Sequence, residues 1–157
     1  MKQLTFDQNG NLGGLQCMYA IPVSSFKRIW RDYTNNLNYL RVINRDDIID
    51  VYITESDGLF KEQAEGGVYK PEVSGIVPKS NPLNQKQLTR LETEYWIVLF
   101  RDNNDYWRLA GNEENQLRFT RTDNSGQLGS RNQLEFSFTG SQRRACEFIE
   151  LAEIEDL

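Results

Sequence analysis

Carboxylates, thiols and aromatic rings are the only reactive groups this sequence offers in quantity, because it contains no histidine. Without imidazole the chain lacks the most common general base, and no Ser-His or Cys-His nucleophile pair can form. Asp46, Asp47 and Asp50 lie close enough together to hold a cation, but their spacing lacks the glycine of a calcium loop, so they read as solvated turn residues. Asp102 and Asp105 resemble such a loop only superficially, since Tyr106 stands where a third ligand is expected. A carboxylate pair for glycoside cleavage has no distinguishing mark among 23 acidic residues. No GxGxxG or GxxxxGK[ST] pattern offers a phosphate cradle. The expectation is a non-enzymatic chain with no catalytic residues, no metal site and no cofactor.

Cys17 and Cys146 stand 129 positions apart with no CxxC pattern, and read as small buried hydrophobes or free thiols rather than a disulfide. Trp30, Trp96, Trp107 and Tyr106 could stack on a sugar or a base, although packing in a core or a subunit interface is the commoner use. Lys79, Lys86, Arg90, Arg131, Arg143 and Arg144 read as a solvated basic face, or one that meets the acidic end of a neighbour.

The bulk properties narrow the class. The 157 residues are 38% hydrophobic, 26% charged and 11% aromatic, which is the length of one domain and too aromatic for a solvated tail. A net charge of −5 disfavours broad non-specific binding to nucleic acid. No run of 18 apolar residues predicts a membrane helix, and Met1 to Asp7 shows no apolar leader region. Asn and Gln together supply 24 residues spread along the chain, which suits a β protein with many polar turns.

The elements follow from periodicity. Leu4 and Phe6 open a short strand before the turn Asp7 to Asn11, and Gly14 to Val23 forms a second arm. Phe26, Ile29, Trp30 and Tyr33 could form a helical turn capped by Ser24 or Ser25, or an irregular connection. Asn38 to Asn44 and Ile48 to Glu55 read as a hairpin, with Ile49, Val51 and Ile53 on one face. Ser56 to Gly67 is polar and glycine-bounded, and reads as a long loop (56–67). Val68 to Val77 is a strand in which Pro71 argues for an edge or a bulge. One short helix is expected at about 82–93, with Pro82 near its start and Leu83, Leu88 and Leu91 on its apolar stripe. Tyr95 to Phe100 is apolar on both faces, so it is central or pressed against another subunit. Asp102 to Asp105 turns the chain into Tyr106 to Ala110. Leu117, Phe119 and Arg121 alternate along the next strand. Leu134, Phe136 and Phe138 must share one face of another. Ala145 to Leu151 is a last strand before an acidic tail, 152–157. The fold class is mainly β: an antiparallel β-sandwich or barrel with one short helix, in a single domain over 1–157.

From Gly66 to Gly140 the chain carries an ordered pattern. A GGxY strand is followed by Ile76-Val77-Pro78-Lys79, a helix and YWIVLFRDNNDYW, then by Leu109-Ala110-Gly111, LRFTRTDNSG and LEFSFTG. This order resembles small virion proteins of phages and prophages of Bacteroides-type bacteria, from tail or head–tail modules. The resemblance implies a structural subunit of a tail tube or head–tail connector ring, self-assembling around a DNA channel within the virion. Its partners would be copies of itself and other virion proteins, with DNA only as passing cargo and no membrane. Leu59, Phe60, Tyr106 and Trp107 are the candidate assembly residues: the first two are adjacent apolar side chains in a polar stretch. The alternative is a small binding module for a glycan or a protein, with Tyr106 and Trp107 as its platform.

Overall fold

The computed structural model describes residues 12–32, 37–42, 45–54, 57–77, 85–124 and 133–150. Among these residues it is mainly β, with antiparallel sheets and one α-helix. The strands are β1 (Leu15–Pro22), β2 (Phe26–Asp32), β3 (Leu37–Val42), β4 (Ile49–Asp50), β5 (Leu59–Glu65), β6 (Val68–Val77), β7 (Trp96–Asp102), β8 (Trp107–Ala110), β9 (Arg118–Asn124), β10 (Gln133–Thr139) and β11 (Glu147–Ile149). The helix, α1, is Gln85–Thr93. One sheet runs β11-β8-β7-β1-β4, a second runs β5-β6-β10-β9, and β2-β3 form a separate ribbon.

The two larger sheets stack as a sandwich over one apolar core. The first contributes Leu15, Met18, Ala20, Trp96, Val98, Phe100 and Ala110, and the second Val73, Phe119, Leu134, Phe136 and Phe138. A register shift between Leu15 and Cys17 lets both Leu15 and Met18 face inward although they are three residues apart. The alternation read in Leu134, Phe136 and Phe138 holds: all three are buried, and the rings of Phe119, Phe136 and Phe138 pack within 5.1–6.1 Å of one another. Gly75 lies opposite Phe136, and a Cβ there would fall 2.9 Å from the Phe136 ring and 2.8 Å from Ile53. The missing side chain at residue 75 is therefore the space the Phe136 ring occupies.

Trp96 to Phe100 are fully buried because both faces of β7 are covered. Trp96, Val98 and Phe100 face the second sheet, while Ile97 and Leu99 face a smaller cluster with Ile21, Phe26, Leu109 and Ile149. The strand is central in its sheet, one of the two readings of its two-sided apolar pattern.

Three expectations are corrected. Ser56 to Gly67 is not a long loop, since Leu59–Glu65 pairs along its whole length with β6. Gly66 and Gly67, at φ 58° and 81°, form the two-residue connection. Positive φ at both central positions is the turn whose twist matches a hairpin. The stretch reads as polar because only one side of this outermost strand meets the core. Secondly, β3 does not pair with the segment after Ile48. It pairs with β2, so Phe26 to Asp32 is a strand and not a helical turn, while Ile49–Asp50 joins the edge of β1. Val51 and Ile53 still share the core face, as their alternation requires. Thirdly, Pro71 sits in an interior strand. Tyr69 and Gln142 exchange backbone hydrogen bonds at 2.8 Å, so Tyr69 points its backbone groups toward the β10 side. Alternation aims the Pro71 nitrogen the same way, between that bridge and the Thr139–Glu72 pair, where no ladder pair forms.

The helix covers the second part of the expected 82–93. Its start at Pro82 and Leu83, the Leu4–Phe6 strand and the tail 152–157 lie outside the described residues. Leu91 is buried and Leu88 packs against the core.

Truncation of Phe136 to Ala removes a buried ring from a close-packed trio. The expected loss is about 3–5 kcal/mol of unfolding free energy, measured by urea denaturation. An unchanged midpoint would contradict the packing described.

Candidate functional site

Asp47, Asp102 and Asp105 of the candidate carboxylates hold neighbouring parts of the chain together. Asp47 accepts a hydrogen bond from the buried Ser25 hydroxyl at 2.9 Å and faces the Arg90 guanidinium at 3.8 Å. Asp102 Oδ1 accepts the backbone N–H groups of Asn104 and Tyr106 at 2.9 and 3.0 Å, which shapes the β7–β8 turn. Asp105, at φ 66°, accepts from Gln16 and Arg101. Among the described residues no cluster of three or more potential ligands could hold a metal ion.

Both cysteines are free thiols, Cys17 half-buried and Cys146 buried. Burial is the main cause that pushes the Cys146 thiol far above its ordinary value of 9.0, and the Glu62 carboxylate beside it pushes in the same direction. Glu62 accepts the Cys146 backbone N–H at 2.8 Å, and Gln142 Nε2 donates to Sγ at 3.3 Å. This is a buried polar tie between β5 and the segment leading into β11, not a reactive thiol.

The four candidate assembly residues do not form one patch. Strand alternation separates Leu59 from Phe60. Leu59 points to the outer face of the second sheet and is 59% exposed, whereas Phe60 turns inward and its ring lies 4.7 Å from that of Phe100. Alternation likewise separates Tyr106 from Trp107. Trp107 turns toward the smaller cluster, stacks on Tyr19 at 6.1 Å and lies under the Arg101 guanidinium, so no joint Tyr106–Trp107 platform exists.

Phe60 and Tyr106 are instead linked through two residues the sequence reading passed over. Arg108 pairs with Phe148 across β8 and β11. Its guanidinium lies 4.2 Å from the Phe148 ring centre and 5.4 Å from that of Phe60. Phe148 in turn meets Tyr106 edge-on at 6.0 Å. A stack therefore runs outward from the core in the order Phe100, Phe60, Arg108, Phe148, Tyr106. Each cation–π contact of this kind contributes about 0.5–1 kcal/mol near a surface. Its outer end is apolar and open: Phe148 is 52% and Tyr106 49% exposed. The available signal was the adjacent pair Phe148-Ile149, since two large apolar neighbours on a strand cannot both face one core.

The outer face of the second sheet has a different character. A depression of about 360 Å³ lies over its centre, lined by Asp57, Leu59, Ser74, Thr120, Glu135 and Ser137 among others. Ser74 and Ser137 are cross-strand partners, and Thr120 shares a hydroxyl hydrogen bond with Ser137 at 3.0 Å.

The raised Cys146 value carries a sign. The folded state keeps this thiol protonated at pH values where the unfolded chain ionises it. Stability from this group is full well below its ordinary value of 9.0 and declines as pH rises through that value and beyond. Replacing Cys146 by Ala is expected to flatten the alkaline fall in unfolding free energy between about pH 8 and 10; an equal fall in both proteins would contradict a buried, protonated thiol.

Comparison with models of protein families, with curated proteins and with solved structures finds no match for this chain.

Proposed function

We propose that the chain is a non-enzymatic structural subunit of a phage particle, self-assembling into a tail tube or head–tail connector ring. The virion assignment rests on the strand, glycine and aromatic order from Gly66 to Gly140. The observation that supports assembly is the placement of open surfaces on a tightly closed core. The central strand β7 is buried on both faces, yet β5 presents an edge with no strand partner other than β6 among the described residues. The Phe148–Tyr106 end of the aromatic stack adds an apolar contact beside it. In a monomer the β5 edge has no second strand among the described residues and the aromatic end stays half exposed, while a ring or tube covers both. Absence of histidine and the structural engagement of Asp47, Asp102 and Asp105 support a non-catalytic role.

A small binding module is the second reading. The depression over Ser74, Ser137 and Thr120 favours it, with hydroxyls and carboxylates suited to a polar ligand such as a glycan.

Light scattering coupled to size exclusion, with negative-stain microscopy, distinguishes the two. The structural reading predicts closed or tubular particles many times the 18.3 kDa protomer mass; a monomer at every concentration contradicts it. Substitution of Leu59 by Ser is expected to leave monomer stability within about 0.5 kcal/mol while weakening assembly. The same change at Phe60 should destabilise the monomer by about 1–3 kcal/mol, because that side chain packs on Phe100. Equal effects of the two on monomer stability would contradict the opposite orientations.

A further inference from the structure

We propose that β5 pairs antiparallel with β5 of a second copy about a two-fold axis at Gln63, joining the two four-stranded sheets edge to edge. The inference rests on the self-assembly reading and names one contact within it.

The edge of β5 away from β6, which has no strand beside it among the described residues, has a defined pattern. Because Tyr69 points its backbone groups toward β10, alternation along β6 aims Val68, Lys70, Glu72 and Ser74 at β5. Their partners Glu65, Gln63, Lys61 and Leu59 therefore use their backbone groups on β6. Phe60, Glu62 and Ala64 direct theirs to the open side. Glu65 facing Val68 as the hydrogen-bonded pair that closes the Gly66–Gly67 turn is consistent with this.

An antiparallel strand paired with its own copy must obey the dyad, so each choice of axis dictates every cross-strand pair. An axis at Glu62 sets two carboxylates together, and one at Lys61 sets two ammonium groups together. An axis at Ala64 brings no opposite charges into register. An axis at Gln63 places Lys61 opposite Glu65 of the second copy, and Glu65 opposite its Lys61. Gln63 meets Gln63, and Glu62, held inward by Cys146, meets only the small Ala64. Lys61, Gln63, Ala64 and Glu65 are all exposed in the protomer. Glu62 and Ala64 of each copy then exchange backbone hydrogen bonds, and Lys61–Glu65 falls at the close, non-hydrogen-bonded positions where side chains interact most. The same register carries the exposed Leu59 against the partner turn at Gly66–Gly67.

Charged edge strands usually deter pairing. Here the two signs are placed so that the edge complements itself. The contact is isologous, so it closes on a pair; a ring or tube needs a separate surface, for which the Tyr106–Phe148 end is available.

The test is a charge swap read by analytical ultracentrifugation. Lys61→Glu alone and Glu65→Lys alone should each weaken the pair about tenfold or more, since each creates two like-charge contacts across the interface, beyond the like charge it sets beside Glu72 or Lys70 within each protomer. The double variant should restore affinity to within about threefold of the parent. Failure of the double variant to restore it overturns the register, provided melting curves show all three folded. As a second readout, Gln63→Cys in a Cys17→Ser, Cys146→Ala background should oxidise to a disulfide-linked dimer, because paired Cα atoms at such positions lie about 4.5 Å apart. Glu62→Cys and Ala64→Cys alone should not, whereas their mixture should. A large assembly lacking the Gln63→Cys cross-link overturns this contact and leaves the structural reading standing. A cross-linked dimer that never grows further supports the contact and contradicts the ring or tube.

Discussion

The fold depends on how the chain covers Trp96. Its indole N–H donates to the Leu91 carbonyl at 2.9 Å, satisfying one of the acceptors a helix leaves open at its C-terminus. Its backbone N–H and carbonyl both bond to Leu117, at 3.0 and 2.8 Å, which ties the first sheet to the strand leading into the second. The Arg90 guanidinium lies over the ring at 5.6 Å and also reaches Asp47 and Glu94. One fully buried residue thus ties down the end of the helix through its indole and Leu117 through its backbone, while Arg90 over its ring reaches Asp47. The rest of β7 extends the same constraint, because a run apolar on both faces must be roofed twice.

That double roof explains where the molecule is closed and where it is open. The inner roof is the second sheet, and β6 and β10 at its centre supply most of its large inward side chains, Val73, Leu134, Phe136 and Phe138. At one side β9 meets α1 through the Arg121–Glu92 ion pair. At the other side β5 needs only Phe60 to seal the core and Glu62 to hold the Cys146 backbone, so its remaining residues are selected by water or by a partner rather than by packing. The functional surfaces proposed for this chain lie where the packing demand ends.

Much of this architecture is legible in residue order. The alternation of Leu134, Phe136 and Phe138, the two-sided run Trp96 to Phe100 and the turn at Asp102 to Asp105 each specify a strand or a connection locally, and each is found. Partner choice is not local. The alternation of Ile49, Val51 and Ile53 reports a half-buried extended segment but cannot say that β1, not β3, lies beside it. β5 escaped notice because period-two hydrophobicity fades in an edge strand, although Gly66-Gly67 between Glu65 and Val68 is itself a hairpin signal. Of the candidate site, Phe60 and Tyr106 are joined, but only through Arg108 and Phe148, which come from strands paired in space and far apart in sequence from Phe60. Leu59 and Trp107 go elsewhere because adjacent strand residues face opposite ways.

Residue-resolved amide hydrogen exchange, followed as protein concentration is raised, tests the central claim that the sandwich presents β5 as a self-pairing edge. The amides of Lys61 and Gln63 should be protected at every concentration by β6. Those of Glu62 and Ala64 should exchange rapidly in dilute solution and slow together as the concentration rises, while β7 amides stay the most protected throughout. Protection of Glu62 and Ala64 that is the same at all concentrations, whether high or absent, would contradict the account.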